Sequence, residues 1–116
     1  GEVAEIWITF PDPQYKFRRK HHRLTNPTFL RSYQQVLQPE GIVHLKTDAA
    51  FLHGYTLGVL DGWRIKPLMA HHDIYQYVHA PADVIGIQTF YEQQYREQGI
   101  PITYLKFSFP TDATTK

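Results

Sequence analysis

Two apolar runs, Ile6-Trp7-Ile8-Thr9-Phe10 and Ile42-Val43-His44-Leu45-Lys46-Thr47, each give way to an aspartate, and one helix-length segment lies between them. This arrangement constrains the fold more than any other feature of the chain. Two strands joined through a helix pair in parallel, because the crossover returns the chain to the edge where it started. Parallel strands bring their carboxyl ends, here Asp12 and Asp48, to one rim of a sheet, where open α/β sheets keep their chemistry.

The first strand is expected over residues 3–10, apolar enough to be buried on both faces. Pro11 and Pro13 then force a loop over residues 11–25. Asn26-Pro27 is a helix start, an N-cap followed by proline at the first helical position. The helix carries Phe29, Leu30, Tyr33, Val36 and Leu37 and is expected to stop at Pro39-Glu40-Gly41. The second strand is followed by a helix over about residues 49–60, where Gly54-x-x-x-Gly58 is read as allowing close packing on the sheet. Alternation predicts a third strand in Trp63 to Met69. Residues 70–87 give no clear pattern. A third helix spans Thr89 to Gln98, closed by Gly99, and a last strand spans Ile102 to Phe109.

One domain accounts for 116 residues. The expected division is an α/β domain over residues 1–110 and a loose tail over 111–116. The net charge of +1 conceals an asymmetry: residues 13–39 hold six of the twelve Lys and Arg and no acid. Lys16, Arg18, Arg19, Lys20 and Arg23 crowd the loop behind Asp12, the electrostatic footprint of a phosphate backbone. No apolar stretch approaches the ~20 residues of a membrane span. The absence of cysteine and of a signal-peptide pattern fits a cytoplasmic protein.

The stretch Phe10-Pro11-Asp12-Pro13, with Lys16, Arg18, Arg23 and Leu24 behind it, resembles the signature of the bacterial tRNA (guanine-N7-)-methyltransferase family, F-P-D-P-W-x-K-x-R-H-x-K-R-R-L. Gln14 stands for the family's tryptophan, Arg19 for its histidine, and His21 and His22 for basic residues. His44-Leu45-Lys46-Thr47-Asp48 is similar to the family's H-x-x-T-D, and Thr89-Phe90-Tyr91-Glu92 to its T-x-[FY]-E. The resemblance spans about 100 residues. It implies the C-terminal half of a Rossmann-like, S-adenosylmethionine-dependent methyltransferase sheet, parallel strands with an antiparallel C-terminal strand, acting on tRNA. It further implies Asp12 as the catalytic carboxylate, beside both cofactor and target base. Lys16, Arg18, Arg23, Asp48, Thr89 and Glu92 are the implied substrate contacts.

The chain's glycines, at 1, 41, 54, 58, 62, 86 and 99, form no G-x-G. A cofactor loop is therefore expected elsewhere, S-adenosylmethionine should bind this chain weakly or not at all, and the chain alone should be catalytically silent. The strand over residues 3–10 would then present an open apolar edge suited to self-association.

Each motif also has a structural reading. Asp12 could cap a stiff Pro-Asp-Pro turn, Asp48 could be an N-cap, and Thr89 with Glu92 could form a capping box. The histidine doublets 21–22 and 71–72 are not read as metal ligands, because neighbours in a regular element diverge and no H-x-H or H-x-x-x-H occurs. The alternative to an enzyme is a non-catalytic RNA-binding module built on the basic loop and exposed aromatics.

Overall fold

The computed structural model describes residues 2–12, 14–77, 80–86 and 90–109. Strand β1 (Val3–Thr9) leads through a loop with a 3-10 turn at Phe17–His22 into helix α1 (Pro27–Val36), strand β2 (Leu37–Thr47) and helix α2 (Ala50–Gly62). Strand β3 (Met69–His71), a 3-10 turn at Ile74–Gln76, and helices α3 (Ala82–Ile85) and α4 (Phe90–Glu97) precede strand β4 (Thr103–Ser108). The four strands form one mixed sheet in the order β1-β2-β4-β3. β1 and β2 are parallel, with Trp7 opposite His44 and Thr9 opposite Lys46. β4 runs antiparallel to both β2 and β3, so the last strand is reversed as expected.

Register sorts the side chains onto two faces, since opposed residues share a face and neighbours alternate. Ile6, Ile8, Val43, Leu45, Leu105 and Phe107 fall on one face. There they build the main core with Leu30 of α1 and Leu52 and Leu60 of α2. Glu5, Trp7, His44, Lys46 and Tyr104 fall on the other. A smaller cluster of Ile74, Val84, Ile102 and Tyr104 belongs to that side.

Asn26 caps α1 as expected: its side-chain oxygen accepts from the Phe29 amide at 2.9 Å, with Pro27 in the first turn. The chain continues into β2 immediately after Val36, not after Gly41. Pro39, Glu40 and Gly41 lie inside β2 as a bulge, for Val3 faces Leu37 while Glu5 already faces Ile42. Glu40 takes a left-handed φ of 64°. At Gly41 a Cβ would come within 2.8 Å of Leu37 Cδ2 and 2.9 Å of the Gln38 carbonyl, so only glycine fits the bulge.

Three other expectations are corrected. β1 is buried at Ile8 alone, with Val3 and Trp7 each 39% exposed, because among the described residues it pairs only with β2 and forms the sheet edge. Residues 63–68 do not form a strand: Arg64 adopts a left-handed φ of 61°, turning Ile65 back to bond the Leu60 carbonyl and enter the core. Leu68 makes the first bond to β4, its amide donating to the Lys106 carbonyl at 2.7 Å, and the strand itself begins at Met69. Gly54 and Gly58 do not mediate packing, since nothing lies within 4 Å of a Cβ placed on either. The expected tail at 111–116 lies outside the described residues.

Candidate functional site at the strand-end rim

The parallel β1–β2 register ends at Thr9 and Lys46, so the chain leaves both strands at the same rim, with Asp12 and Asp48 just beyond. The exit from β1 is sharp. Phe10 donates to the Lys46 carbonyl at 2.8 Å, and both Phe10 and Gln14 have a left-handed φ of 51°. Two non-glycine residues in that region store strain of about 1 kcal/mol or more each, a feature that clusters at functional turns. The turn carries Asp12 to an exposed position, where one carboxylate oxygen accepts from the Gln14 amide at 2.9 Å. That contact fixes the carboxylate and leaves its other oxygen to a ligand.

Asp48 is half-buried at the start of α2 and does not cap it. The N-cap position belongs to Ala49, which has no side-chain cap, and the Ala49 amide is taken by Thr47 Oγ1 at 3.0 Å.

Asp12, Gln14, Tyr15, Lys16, Arg18 and Arg19 line one depression of about 390 Å³. Lys16 and Arg18 are exposed there, as a phosphate contact requires. Arg23 is different. It is 5% exposed, its guanidinium lies 4.8 Å from the Phe51 ring centre and 4.5 Å from that of Tyr55, and its Nε donates to the Gln14 carbonyl at 3.1 Å. Arg23 latches the loop to α2. Thr25 and Thr56 make a second latch, 2.7 Å apart; Thr56 donates to the Leu52 carbonyl, so Thr25 donates to Thr56.

Gln14, where the family signature has tryptophan, is the hub of this loop: its carbonyl holds Arg23 and its side-chain oxygen accepts from Arg19 Nε at 3.3 Å. The sequence marked it only as a departure. Thr89 lies outside the described residues.

Glu92 does not share the Asp12 depression. It is 1% exposed and sits on the polar face of the sheet, where it pairs with Lys46 Nζ at 2.5 Å and accepts from the Tyr75 hydroxyl. Lys46 also donates to the Val84 carbonyl. Burial, and then the bond to Glu92 and its charge, push the Tyr75 hydroxyl well above the usual tyrosine range. A cavity of about 390 Å³ runs from this pair to Glu5, Trp7 and Thr9 on β1.

His44 occupies the same face, 2% exposed and stacked on Trp7 at 3.7 Å with the planes 5° apart. Its Nε2 lies 2.7 Å from Glu5 Oε1 and its Nδ1 2.7 Å from the Tyr104 hydroxyl. A carboxylate only accepts, so Nε2 donates to Glu5 and a neutral ring accepts the Tyr104 proton. Desolvation holds His44 below the ordinary histidine value, outweighing the opposing pull of Glu5. Burial, with the charges of Asp83 and Glu5, raises Tyr104. None of this network was anticipated; the only signal was the alternation of His44 and Lys46 with Val43, Leu45 and Thr47.

The doublets His21–His22 and His71–His72 do not diverge: their ring centres are 4.0 and 5.1 Å apart. One ends a 3-10 turn and the other straddles the end of β3, so strand and helix geometry does not govern them. His71 Nδ1 is already engaged by the Asp73 amide at 3.1 Å. Among the described residues no three His, Asp or Glu are grouped to hold a metal ion, and no helix is long and apolar enough to cross a membrane.

A family model described as "Putative methyltransferase" matches residues 1–105. A Christiangramia forsetii protein named tRNA (guanine-N(7)-)-methyltransferase is 61% identical over 107 residues, which are 92% of this chain and 48% of that relative. A Porphyromonas gingivalis protein of the same name is 46% identical over 110 residues, covering 92% and 43%. A third, from Bacteroides thetaiotaomicron, is 40% identical over 112 residues, covering 97% and 43%. The chain thus spans about half the length of the curated relatives it matches. With nine-tenths of its length matched by the family model, and with a rim of two strand-end aspartates beside a basic loop, the chain belongs to this methyltransferase family.

Proposed function

We propose that this chain is the substrate-side half of a tRNA (guanine-N7-)-methyltransferase, which transfers a methyl group from S-adenosylmethionine to N7 of a guanine. The observation that carries the reading is the parallel β1–β2 register, which sends the chain out toward Asp12 and Asp48 at one rim, with the exposed Lys16 and Arg18 lining the depression at Asp12. The printed names of the relatives support it. In this reading the sheet is the C-terminal part of a Rossmann-like sheet, and the free edge of β1 receives a further strand or a second copy of the chain. A tRNA substrate sets the enzyme in the cytoplasm.

Guanine N7 carries an exposed lone pair and needs no general base, so the protein's task is alignment and charge stabilisation. Asp12 accepts from guanine N1–H and the exocyclic amine, offsetting the positive charge that develops on the purine. Asp48 and Thr89 complete the substrate side and Glu92, buried in its pair with Lys46, supports it from the polar face of the sheet, while Lys16, Arg18 and Arg23 serve the phosphate backbone directly or by holding the loop.

The residues present fit only one wall of a cofactor site. Gly41 is closed by Leu37 and Gln38, and a Cβ on Gly86 would meet the Ala82 carbonyl at 2.6 Å, so neither opens onto a ligand. Asp12 is the group on this chain suited to face the cofactor, which supplies an electrophilic methyl on a sulfonium. The chain alone is then inactive.

The test joins this chain to the portion of the Christiangramia forsetii relative that it does not match. Labelled methyl should appear in tRNA as 7-methylguanosine. Asp12→Ala should lower kcat by about 100-fold or more with tRNA affinity nearly unchanged. A fusion that binds both tRNA and S-adenosylmethionine yet yields no 7-methylguanosine overturns the proposal. That outcome favours the second reading, a non-catalytic RNA-binding module, for which the 63% exposure of Tyr15 beside the basic loop speaks.

A further inference from the structure

Beside the Asp12 depression, the basic loop and the first turns of α2 border a second, open and mainly apolar depression of about 550 Å³, lined by Tyr15, Arg23, Ala50, Phe51, Gly54 and Tyr55. Two of its walls are aromatic rings in mutual contact, with centres 5.2 Å apart: Tyr15, 63% exposed, and Phe51, 41% exposed beneath it. Nothing occupies the space above Gly54, where a Cβ would meet no atom within 4 Å. The back wall is fixed, because Arg23 is held between Phe51, Tyr55 and the Gln14 carbonyl. Tyr15 belongs to both cavities, so the aromatic walls adjoin exposed Lys16, Arg18 and Arg19.

An exposed ring beside a cationic rim is complementary to a nucleotide, whose base offers a π face and whose phosphate carries the charge. An apolar side chain would leave the cations unmatched. The geometry points to a nucleobase-stacking subsite: an unpaired base of the bound RNA, distinct from the base presented at Asp12, stacks on the exposed ring of Tyr15, which Phe51 backs at 5.2 Å, while Lys16 and Arg18 hold its phosphate. This inference rests on the reading of the chain as tRNA-binding.

The test uses the full 116-residue chain, an unmodified tRNA transcript, and a single-stranded oligoribonucleotide carrying 2-aminopurine, with affinity measured across a salt series. Tyr15→Ala should weaken binding about 10-fold and abolish the quenching of 2-aminopurine, leaving the slope of log Kd against log salt unchanged. Tyr15→Phe keeps the ring and should bind as the parent does. Lys16→Gln with Arg18→Gln should instead lower the slope by about 1 to 2. Binding by Tyr15→Ala within twofold of the parent, while the charge variant loses slope, overturns the subsite and leaves the RNA reading standing. A parent chain that binds RNA without salt dependence, or not at all, brings down both. Concentration-dependent dimerisation lost in Tyr15→Ala, with RNA binding unaltered, assigns the cavity to a second copy and overturns the nucleobase proposal.

Discussion

The two faces of the sheet are built on different physics. One is a continuous apolar surface, with Ile8, Val43, Leu45, Leu105 and Phe107 under α1 and α2. The other buries a neutral histidine between a carboxylate and a phenol, and a lysine between a carboxylate and a carbonyl. Apolar contacts are non-directional and substitute for one another within volume limits. Each polar group opposite depends on particular partners, and removing one leaves a charge or a donor poorly matched in low dielectric.

The largest expected effect tests that asymmetry on a single strand. Lys46→Met removes the cation paired with Glu92, which is 1% exposed, and should cost about 3–5 kcal/mol in urea denaturation. Adding Glu92→Leu should recover most of the loss; failure to recover would mean that the pair does more than neutralise itself. One residue earlier, on the opposite face, Leu45→Ala should cost about 2–5 kcal/mol, but Leu45→Met less than about 1.5. If Leu45→Met proved as damaging as Lys46→Met, the contrast between the faces would collapse. Within the apolar half, Thr56→Val orphans the buried Thr25 hydroxyl and should cost about 1 kcal/mol, showing that isolated polar atoms there behave as single hydrogen bonds.

The smallest effect is acid sensitivity. Burial lowers His44 on the polar face and His53 on α2, so the unfolded chain takes up protons before the folded one does. The stability they contribute is complete above the ordinary histidine value of 6.5 and is lost as pH falls below it. Tm should therefore drop between pH 7 and pH 5, and His44→Gln should flatten the drop. A Tm that rose on acidification, and did so only with His44 present, would mean that the bond to Glu5 outweighs desolvation.

The same contrast explains what was legible in the sequence. Apolar periodicity and the Asn26-Pro27 cap placed β1, α1, β2, α2, α4 and β4, because those signals are local. The strand-end rim followed from connectivity, and the reversal of β4 from the resemblance to the family. The bulge at Pro39-Glu40-Gly41 and the turn at Arg64 were misread, since proline and glycine mark a break without saying whether the strand resumes, and alternation in Trp63–Met69 carries no information about φ. The Glu5–His44–Tyr104 triad and the Lys46–Glu92 pair join residues that lie far apart in the chain. At the site, Asp12, Lys16 and Arg18, grouped by motif spacing, line one depression, yet spacing could not distinguish an exposed arginine from Arg23, whose burial depends on Phe51 and Tyr55 one helix away.

β1 pairs on one side only, among the described residues, and this gives the strand two kinds of amide. Those turned toward β2 are protected by the ladder, whereas those turned outward exchange with solvent at rates set by whatever lies alongside. Isotope exchange along seven residues, read as alternation or uniformity, therefore counts the neighbours of this sheet. A fast–slow alternation marks an edge; uniform slowness marks a strand that has become interior.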